Sequence, residues 1–365
     1  MVTHSEIVTD ILARKIFFPR YTFSNVKYNV DKNENELCDC ILEFNDYYIF
    51  IQVKEKNDLS NLDDYSWFKN KVLKNAVSQT KKSIKIIKSN DFSFFIKQDG
   101  NKKDIHLKSD KRIIPLIVFF GAKPHFYDKV YHSNSLNLDI NIFSYEDFKV
   151  MLETLILPCD IVLYLLGRNI YTATNPYGNR FLFEDVSTDV TIISRPESEK
   201  DYADYHIVKY YYNNNVDVEA ISFYNRILAD LYSKSIDTFP EAFDMLINAD
   251  IAIADRIVKK IAHFTENIKS ESLEFPMFLG DQEMCIGFLR RPYKMDDYTF
   301  NCVMSNLGLY YAYKHSVKRI CFFVFSSMHS GLISMDVLAS SPYSFDNKDA
   351  DLDNLVIDIE KSFSF

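Results

Sequence analysis

The sequence predicts an α/β protein with two domains. Up to Gly121 a helix, a hairpin, a second helix and a buried strand follow one another, and the last third holds a strand, a helix and a further strand. A length of 365 residues with 47% hydrophobic residues is enough for two ordinary cores. We place the boundary at the polar, aperiodic segment that begins at Arg195, which gives domains of residues 1–195 and 196–365.

The first domain is predicted to contain four helices besides its strands. Ser5 can cap a helix that runs to about Lys15, because the apolar residues between them have helical spacing. A second helix is predicted over Trp67–Lys88, and two more over Tyr145–Leu157 and Cys159–Leu166. The continuous apolar run Arg112–Phe120 indicates a buried strand.

The second domain is predicted to be another α/β sheet. Its expected order is two helices followed by a strand, a helix and a strand. These elements are predicted over Glu219–Ser233, Pro240–Phe264, Glu283–Arg290, Tyr298–His315 and Val317–Ser326.

A hairpin carries the residues with the most informative chemistry. Residues 37–43 and 47–54 alternate like strands, and Asn45-Asp46 between them is a good two-residue turn. In that register, Asp39 lies opposite Gln52 and Leu37 lies opposite Lys54. One face is apolar and is predicted to be the face packed against helices; on the other, Asp39, Gln52 and Lys54 converge at one end of the sheet.

These side chains suit the hydrolysis of a phosphodiester. The reaction needs a divalent cation, a carboxylate that holds it, and a positive group near the attacking water. Asp39 supplies the carboxylate. Gln52 can offer its amide oxygen and Val53 its backbone carbonyl to the same cation. Lys54 can reach the nucleophile or a phosphate.

Glu36-Leu37-Cys38-Asp39, a turn, and Ile51-Gln52-Val53-Lys54 together resemble the PD-(D/E)XK nuclease superfamily, in its Gln-x-Lys variant. The resemblance covers roughly residues 1–125. It implies a restriction-endonuclease-like αβββαβ core, Mg²⁺ (or Mn²⁺) as cofactor, and an endonuclease that cuts DNA in prokaryotic antiviral defence or restriction. No proline precedes Asp39, and Gln52 removes one negative charge from the implied metal site.

The resemblance also extends to the two flanking helices. Members of the superfamily often carry a metal-approaching glutamate on the first helix, and Glu6 stands at the matching place. The helix after the hairpin often carries a glutamine with an alanine upstream, as Gln79 and Ala76 do here. The alternative for Glu6 is an acid that stabilises a helix first turn, and the alternative for Gln79 is a surface residue.

The second predicted helix is rich in lysine and lacks acids, although the whole chain has a net charge of −9. We predict that Lys71, Lys74, Lys81, Lys82 and Gln79 contact nucleic acid. The alternative is a solvated helix face.

Two other functional hypotheses remain beside the DNA endonuclease. In one, the nuclease fold is a catalytically silent binding or assembly module with no need of a metal at Asp39; for Asp39 and Lys54 taken alone, the alternative is a surface ion pair on an exposed sheet face. In the other, RNA is the target. The second domain is predicted to sense, target or regulate, and a homodimer or a partner subunit is compatible with every hypothesis.

The remaining features predict little chemistry. The six cysteines lack metal-site spacing and are predicted to be buried free thiols. His125 and His132 are better explained as loop residues than as metal ligands, and Arg290-Arg291 as the rim of a surface than as an anion site. No secretory signal is recognisable and no apolar run approaches the roughly 20 residues that span a bilayer. A cytoplasmic protein without membrane partners is therefore predicted.

Overall fold

The chain forms two compact units in the computed structural model, Met1–Asn213 and Asn214–Phe365, each described here by itself. The structure describes residues 3–30, 33–57, 60–89, 91–98, 101–124, 127–172, 198–212, 214–235, 240–266, 284–291, 295–315, 319–327 and 333–340. Mixed α/β architecture is present in both units, as predicted.

Unit 1 (Met1–Asn213) contains six α-helices and eight strands among its described residues. The helices are α1 His4–Phe17, α2 Asp64–Phe68, α3 Val77–Ser89, α4 Tyr145–Thr154, α5 Pro158–Thr172 and α6 Glu199–Ile207. The strands are β1 Thr22–Val30, β2 Asn33–Phe44, β3 Tyr47–Glu55, β4 Phe94–Gln98, β5 Asn101–Ile105, β6 Arg112–Phe120, β7 Val130–Ser133 and β8 Leu138–Ser144.

The eight strands form one mixed sheet in the order β5-β4-β1-β2-β3-β6-β8-β7. Strands β3, β6 and β8 are parallel, whereas β1, β2 and β3 are joined antiparallel. The chain order α1, β1, β2, β3, helix, β6 is interrupted only by the β4–β5 hairpin. Since β2 is antiparallel to β3, the start of β2 and the end of β3 lie at the same end of the two strands.

Helix α1 begins two residues earlier than its sequence suggests. The N-cap is Thr3, in a capping box with Glu6, rather than Ser5. Ser5 is buried instead and donates a hydrogen bond of 2.8 Å to the Glu55 carboxylate. The start of α1 therefore lies against the end of β3.

The helix predicted over Trp67–Lys88 is present but is not uniformly α-helical. Helix α2 leads into a π-helical segment, Lys69–Ala76, which continues into α3. The buried side chains of α2 and the π-helical segment pack against β6 and β8, and Ile84 and Ile87 of α3 pack in the core on β1, β2 and β3. The helical run thus crosses one whole face of the sheet.

Both faces of the β2–β3 hairpin are packed, so the prediction of a single helix-covered face is wrong. Ile41, Tyr48 and Phe50 are buried together with Ile84 and Ile87 of α3. Helix α1 packs against β1, β2 and β3, with Arg14 and Asp10 bonded to Ser24 of β1. A sheet flanked by helices buries both faces, which explains the long apolar runs of its strands.

The end of unit 1 is fixed by a buried ion pair. Glu199 at the start of α6 accepts hydrogen bonds of 2.8 and 2.9 Å from Arg168 of α5 and one of 2.5 Å from Tyr164. Arg168 is 0% exposed and also donates to the carbonyl groups of Lys129 and Ile142. Helix α6 consequently belongs to unit 1, and the units divide at 213/214, whereas the sequence predicts a boundary at 195/196.

A second buried carboxyl in unit 1 makes its stability depend on pH. Asp160 is 0% exposed, and one carboxyl oxygen accepts a hydrogen bond of 2.6 Å from Tyr211, while the other has no partner among the described residues. Burial raises the pKa of Asp160 to about 7, against the lowering by Tyr211. The folded state therefore binds a proton more tightly than the unfolded chain does.

We expect unit 1 to lose stability as the pH rises from about 4 to 7, because the unfolded carboxyl releases its proton near 3.9 and the folded one only near 7. Asp160→Asn should remove this loss, which is on the order of 3 kcal/mol. Urea unfolding across this pH range measures it, with the exposed Asp110→Asn as control. Parallel curves for wild type and Asp160→Asn would contradict the prediction.

Unit 2 (Asn214–Phe365) is a smaller α/β layer structure. Its described elements are α7 Val218–Ser235, α8 Pro240–Ile247, α9 Ile251–Glu266, β9 Met284–Arg291, α10 Asp297–His315, β10 Arg319–Ser327 and β11 Ile333–Ser340. The strand order is β11-β10-β9, with β9 and β10 parallel. Helix α10 packs on one face of this sheet, and Phe264 of α9 stacks on Phe325 of the other face.

The single helix predicted over Pro240–Phe264 is wrong, because the structure divides it into α8 and α9. The amide of Ala249 donates to the carbonyl of Leu246, which closes α8 with a turn. Asp250 then accepts a hydrogen bond of 2.7 Å from the amide of Ile253 and so caps α9. The cap sequence is a start signal inside an otherwise continuous apolar pattern.

All six cysteines are free thiols, as predicted, and all but Cys302 are buried. Among the described helices, none is both long and apolar enough to cross a membrane.

Candidate active site

The hairpin register is confirmed from Cys40↔Ile51 to Phe44↔Tyr47, with Asn45 in a positive-φ turn conformation. Continuing this register places Asp39 opposite Gln52, and the two side chains meet. Gln52 donates a hydrogen bond of 2.5 Å to Oδ2 of Asp39, and the backbone amide of Val53 donates one of 2.6 Å to the same oxygen. The regular backbone hydrogen bonding between β2 and β3 therefore ends at Asp39. The Asp39 carboxylate, and not a backbone carbonyl, accepts the hydrogen bond of the Val53 amide.

A β-bulge shapes β2 immediately before Asp39. Val26 pairs with Cys38 but Lys27 pairs with Glu36, so Leu37 is an extra residue on β2. The bulge shifts Glu36 relative to the alternation of a regular strand. The Glu36 carboxyl raises the pKa of Asp39, through a side-chain hydrogen bond and through its charge.

The facing strand is irregular at the same level. Asn25 of β1 has a φ of 52°, a left-handed conformation that asparagine tolerates better than most residues. The pairs Ser24↔Cys40 and Val26↔Cys38 flank it, which places Asn25 opposite Asp39. Both neighbours of Asp39 in the sheet are thus distorted or bonded to its side chain, so the regular strand pairing is interrupted at the carboxylate.

Burial dominates the electrostatics of Asp39. Asp39 is 5% exposed and Gln52 is 6% exposed. Burial and the hydrogen bond with Glu36 hold the pKa of Asp39 well above its usual range, although the Val53 amide and the charge of Lys54 act to lower it. A bound divalent cation would favour the ionised form of Asp39 against the cost of its burial.

The donor set fits a hard divalent cation. Asp39 and Glu36 supply carboxylates, and Gln52 can supply its amide oxygen by rotating its amide group. The Val53 carbonyl lies on the same side of β3 as its amide, which already faces Asp39. Oxygen donors of this kind are those that Mg²⁺ and Mn²⁺ prefer.

The structure places Lys54 and Glu6 differently. Lys54 is half-buried on β3, two residues after Gln52, and its charge acts on Asp39. Glu6 accepts a hydrogen bond of 3.1 Å from the amide of Thr3 within the capping box. The contact between α1 and the end of β3 is made by its neighbour Ser5, with Glu55.

Helix α3 lies next to the bulge. Ser83 donates a hydrogen bond to the carbonyl of Leu37, the extra residue of β2. Thr80, one turn earlier on the inward face, is 3% exposed, and its hydroxyl has no partner among the described residues. Gln79 is exposed, and its carbonyl accepts a hydrogen bond from the Ser83 hydroxyl. The inward face of α3 is therefore polar where it meets the site.

The lysines of this helical run face outward. Lys71, Lys74 and Lys82 are exposed, and Lys81 is half-buried with its ammonium 5.2 Å from the ring centre of Tyr131. No described acid forms an ion pair with any lysine between Trp67 and Ser89. This face is consequently an unneutralised positive surface beside the site.

The other sequence candidates do not gather into a second site. His132 bonds Asp139 at 2.7 Å, and His125 lies outside the described residues. Arg290 is 1% exposed, so its prediction as a rim residue is wrong, whereas Arg291 bonds Asp297 at 2.5 Å. Alternation along β9 directs Arg290 into the core and Arg291 away from it.

Glu36 is the residue that sequence reasoning missed at this site. In a regular strand it would share a face with Cys38 and Cys40, so its position three residues before Asp39 gave no reason to select it. Comparisons with family models, with curated proteins and with solved structures return no match for this chain. The function is therefore inferred from the geometry of the site.

Proposed function

We propose that unit 1 is a metal-dependent nuclease that hydrolyses phosphodiester bonds of DNA. The observation that carries the proposal is the buried contact between Asp39 and Gln52 at an irregular point of the sheet, where the charges of Glu36 and Lys54 also act on Asp39. The resemblance of the Asp39 and Gln52-Val53-Lys54 motifs to the PD-(D/E)XK superfamily supports the same activity, and favours a role in prokaryotic defence.

Each residue has a role that follows from its position. Asp39 and Glu36 would hold Mg²⁺ or Mn²⁺, with Gln52 and the Val53 carbonyl as neutral donors. The cation, when bound, polarises the phosphoryl oxygen and lowers the pKa of a water molecule. Lys54 is placed to orient that water or to stabilise charge that develops on the phosphate. Because Gln52 is neutral, the proposed donor set carries one negative charge less than it would with an acid at this position.

The test is the cleavage of supercoiled plasmid by the purified full-length chain in Mg²⁺, in Mn²⁺ and in EDTA. We expect nicked or linear product with a metal and none in EDTA. A parallel assay with RNA of similar length separates the DNA substrate from the RNA alternative. Cleavage that persists in EDTA would rule out the proposed chemistry.

A silent nuclease fold is the second candidate, and one observation favours it. Oδ2 of Asp39 already accepts hydrogen bonds from both Gln52 and Val53, so this oxygen is satisfied without a cation. In this alternative the hairpin is a structural unit of a binding or assembly module. Calorimetric titration of wild type with Mn²⁺ distinguishes the two, since only the enzyme should bind Mn²⁺ in a manner that Asp39→Ala abolishes.

A further inference from the structure

A groove runs along the outer side of α3. Its volume is about 570 Å³, and its lining includes Lys81, Lys82, Lys85 and Ser78 on α3 and Phe92 after it. The groove is open along its length rather than enclosed. Its shape therefore suits a segment of an extended chain that enters and leaves, and not a small ligand that must be surrounded.

The charge of the groove selects an anion. Lys82 and Lys85 are exposed, and neither pairs with a described acid. Asp91 is the one acid among the lining residues, against three lysines. Ser78 adds a hydroxyl donor that can bond a phosphate oxygen. Lys82 and Lys85 lie about one helical turn apart, so the pair matches a polyanion better than a single point charge.

The groove also has an apolar part. Ile86 and Phe92 line it and are half-buried, and the Phe92 ring is held edge-on to Tyr28 with ring centres 5.2 Å apart. Inorganic phosphate or the outer backbone of a duplex would leave this apolar surface unused. An unpaired base has a flat face that can pack on it while its phosphates meet the lysines.

We infer that this groove binds single-stranded nucleic acid; the inference rests on the proposed function, since it names the form of the same substrate. Helix α3 connects the two places: its inward residue Ser83 is bonded to Leu37, two positions before Asp39, and its outward residues Lys82 and Lys85 line the groove. The enzyme then acts on substrates with an unpaired segment.

The test measures binding without catalysis. Fluorescence anisotropy of a labelled oligothymidylate and of a duplex with equal phosphate count is followed with the full chain in EDTA over a salt series. Wild type should bind the single strand more tightly. Lys82→Gln with Lys85→Gln should weaken that binding and reduce the salt slope by about 1.4, at about 0.7 for each lost phosphate contact. Phe92→Ala should weaken single-strand binding about fivefold or more and leave duplex binding unchanged.

The matched control is Lys103→Gln with Lys108→Gln, two exposed lysines of unit 1 outside the groove. The inference is overturned if both double variants bind alike, if wild type binds neither oligonucleotide, or if duplex binds as tightly as single strand. Failure of the proposed function is a separate result, because binding is measured without metal. If single-strand binding depends on the groove but the protein cleaves neither DNA nor RNA, the proposed nuclease activity is contradicted and the inference about the groove is supported.

Discussion

Replacing Asp39 with asparagine is expected to lower metal-dependent plasmid cleavage by about 10³-fold or more. The cation contributes several kcal/mol to such a reaction, and each 1.36 kcal/mol is a factor of ten in rate. Asparagine keeps an oxygen that accepts the hydrogen bond of the Val53 amide, so the hairpin is retained while the charge is lost. Lys54→Ala should lower the rate by about 10²-fold to 10³-fold, as the loss of one charge-stabilising group does.

Exposed residues of the same types provide the controls. Asp110→Asn and Lys108→Ala make the same chemical changes on the surface of unit 1, and both should cut like wild type. Initial rates of supercoil loss measure all four variants, and thermal unfolding verifies that each is folded. Cleavage by Asp39→Asn at the rate of Asp110→Asn would show that the reaction is catalysed elsewhere.

The second large effect concerns stability. Glu199→Gln should destabilise unit 1 by about 3–5 kcal/mol, because it leaves Arg168 charged, buried and without its counter-ion. Arg168 is also packed over the Phe143 ring, 3.6 Å from its centre, so it cannot turn toward solvent without opening the core. Urea unfolding, followed by a signal from unit 1, gives the free energy of unfolding.

The exposed pair Lys149–Glu153 is the matched control for this prediction. Glu153→Gln should change the free energy of unfolding by less than about 0.5 kcal/mol, since exposed pairs contribute little. Replacing Arg168 and Glu199 together with methionine and leucine should recover much of the loss of the single change. A loss below about 1 kcal/mol for Glu199→Gln would mean that water solvates Arg168.

The hairpin could be predicted because its determinants are local. A two-residue turn fixes the pairing, and strand alternation then fixes which residues face each other, so Asp39 and Gln52 were placed together from their numbers alone. The bulge at Leu37 depends on β1, whose mixed sequence Thr22–Val30 shows no clear alternation. Without β1 neither the bulge nor the contribution of Glu36 could be foreseen.

Non-local pairing also set the end of unit 1. Glu199 lies 31 residues after Arg168, and nothing in the sequence between them signals that they meet. The capping residue of α1 was misplaced by two positions, from Thr3 to Ser5, because both residue types cap helices equally well. Such errors arise where several neighbouring residues satisfy one rule and tertiary contacts choose among them.

The two edge strands of the described sheet in unit 1 differ from its central strands in charge or in length. Strand β5 exposes Lys102, Lys103 and Asp104, and β7 at the opposite edge has only four residues. A charged strand and a very short one are both poor templates for adding a further strand from another molecule. The described sheet of unit 1 is thereby protected against edge-to-edge aggregation.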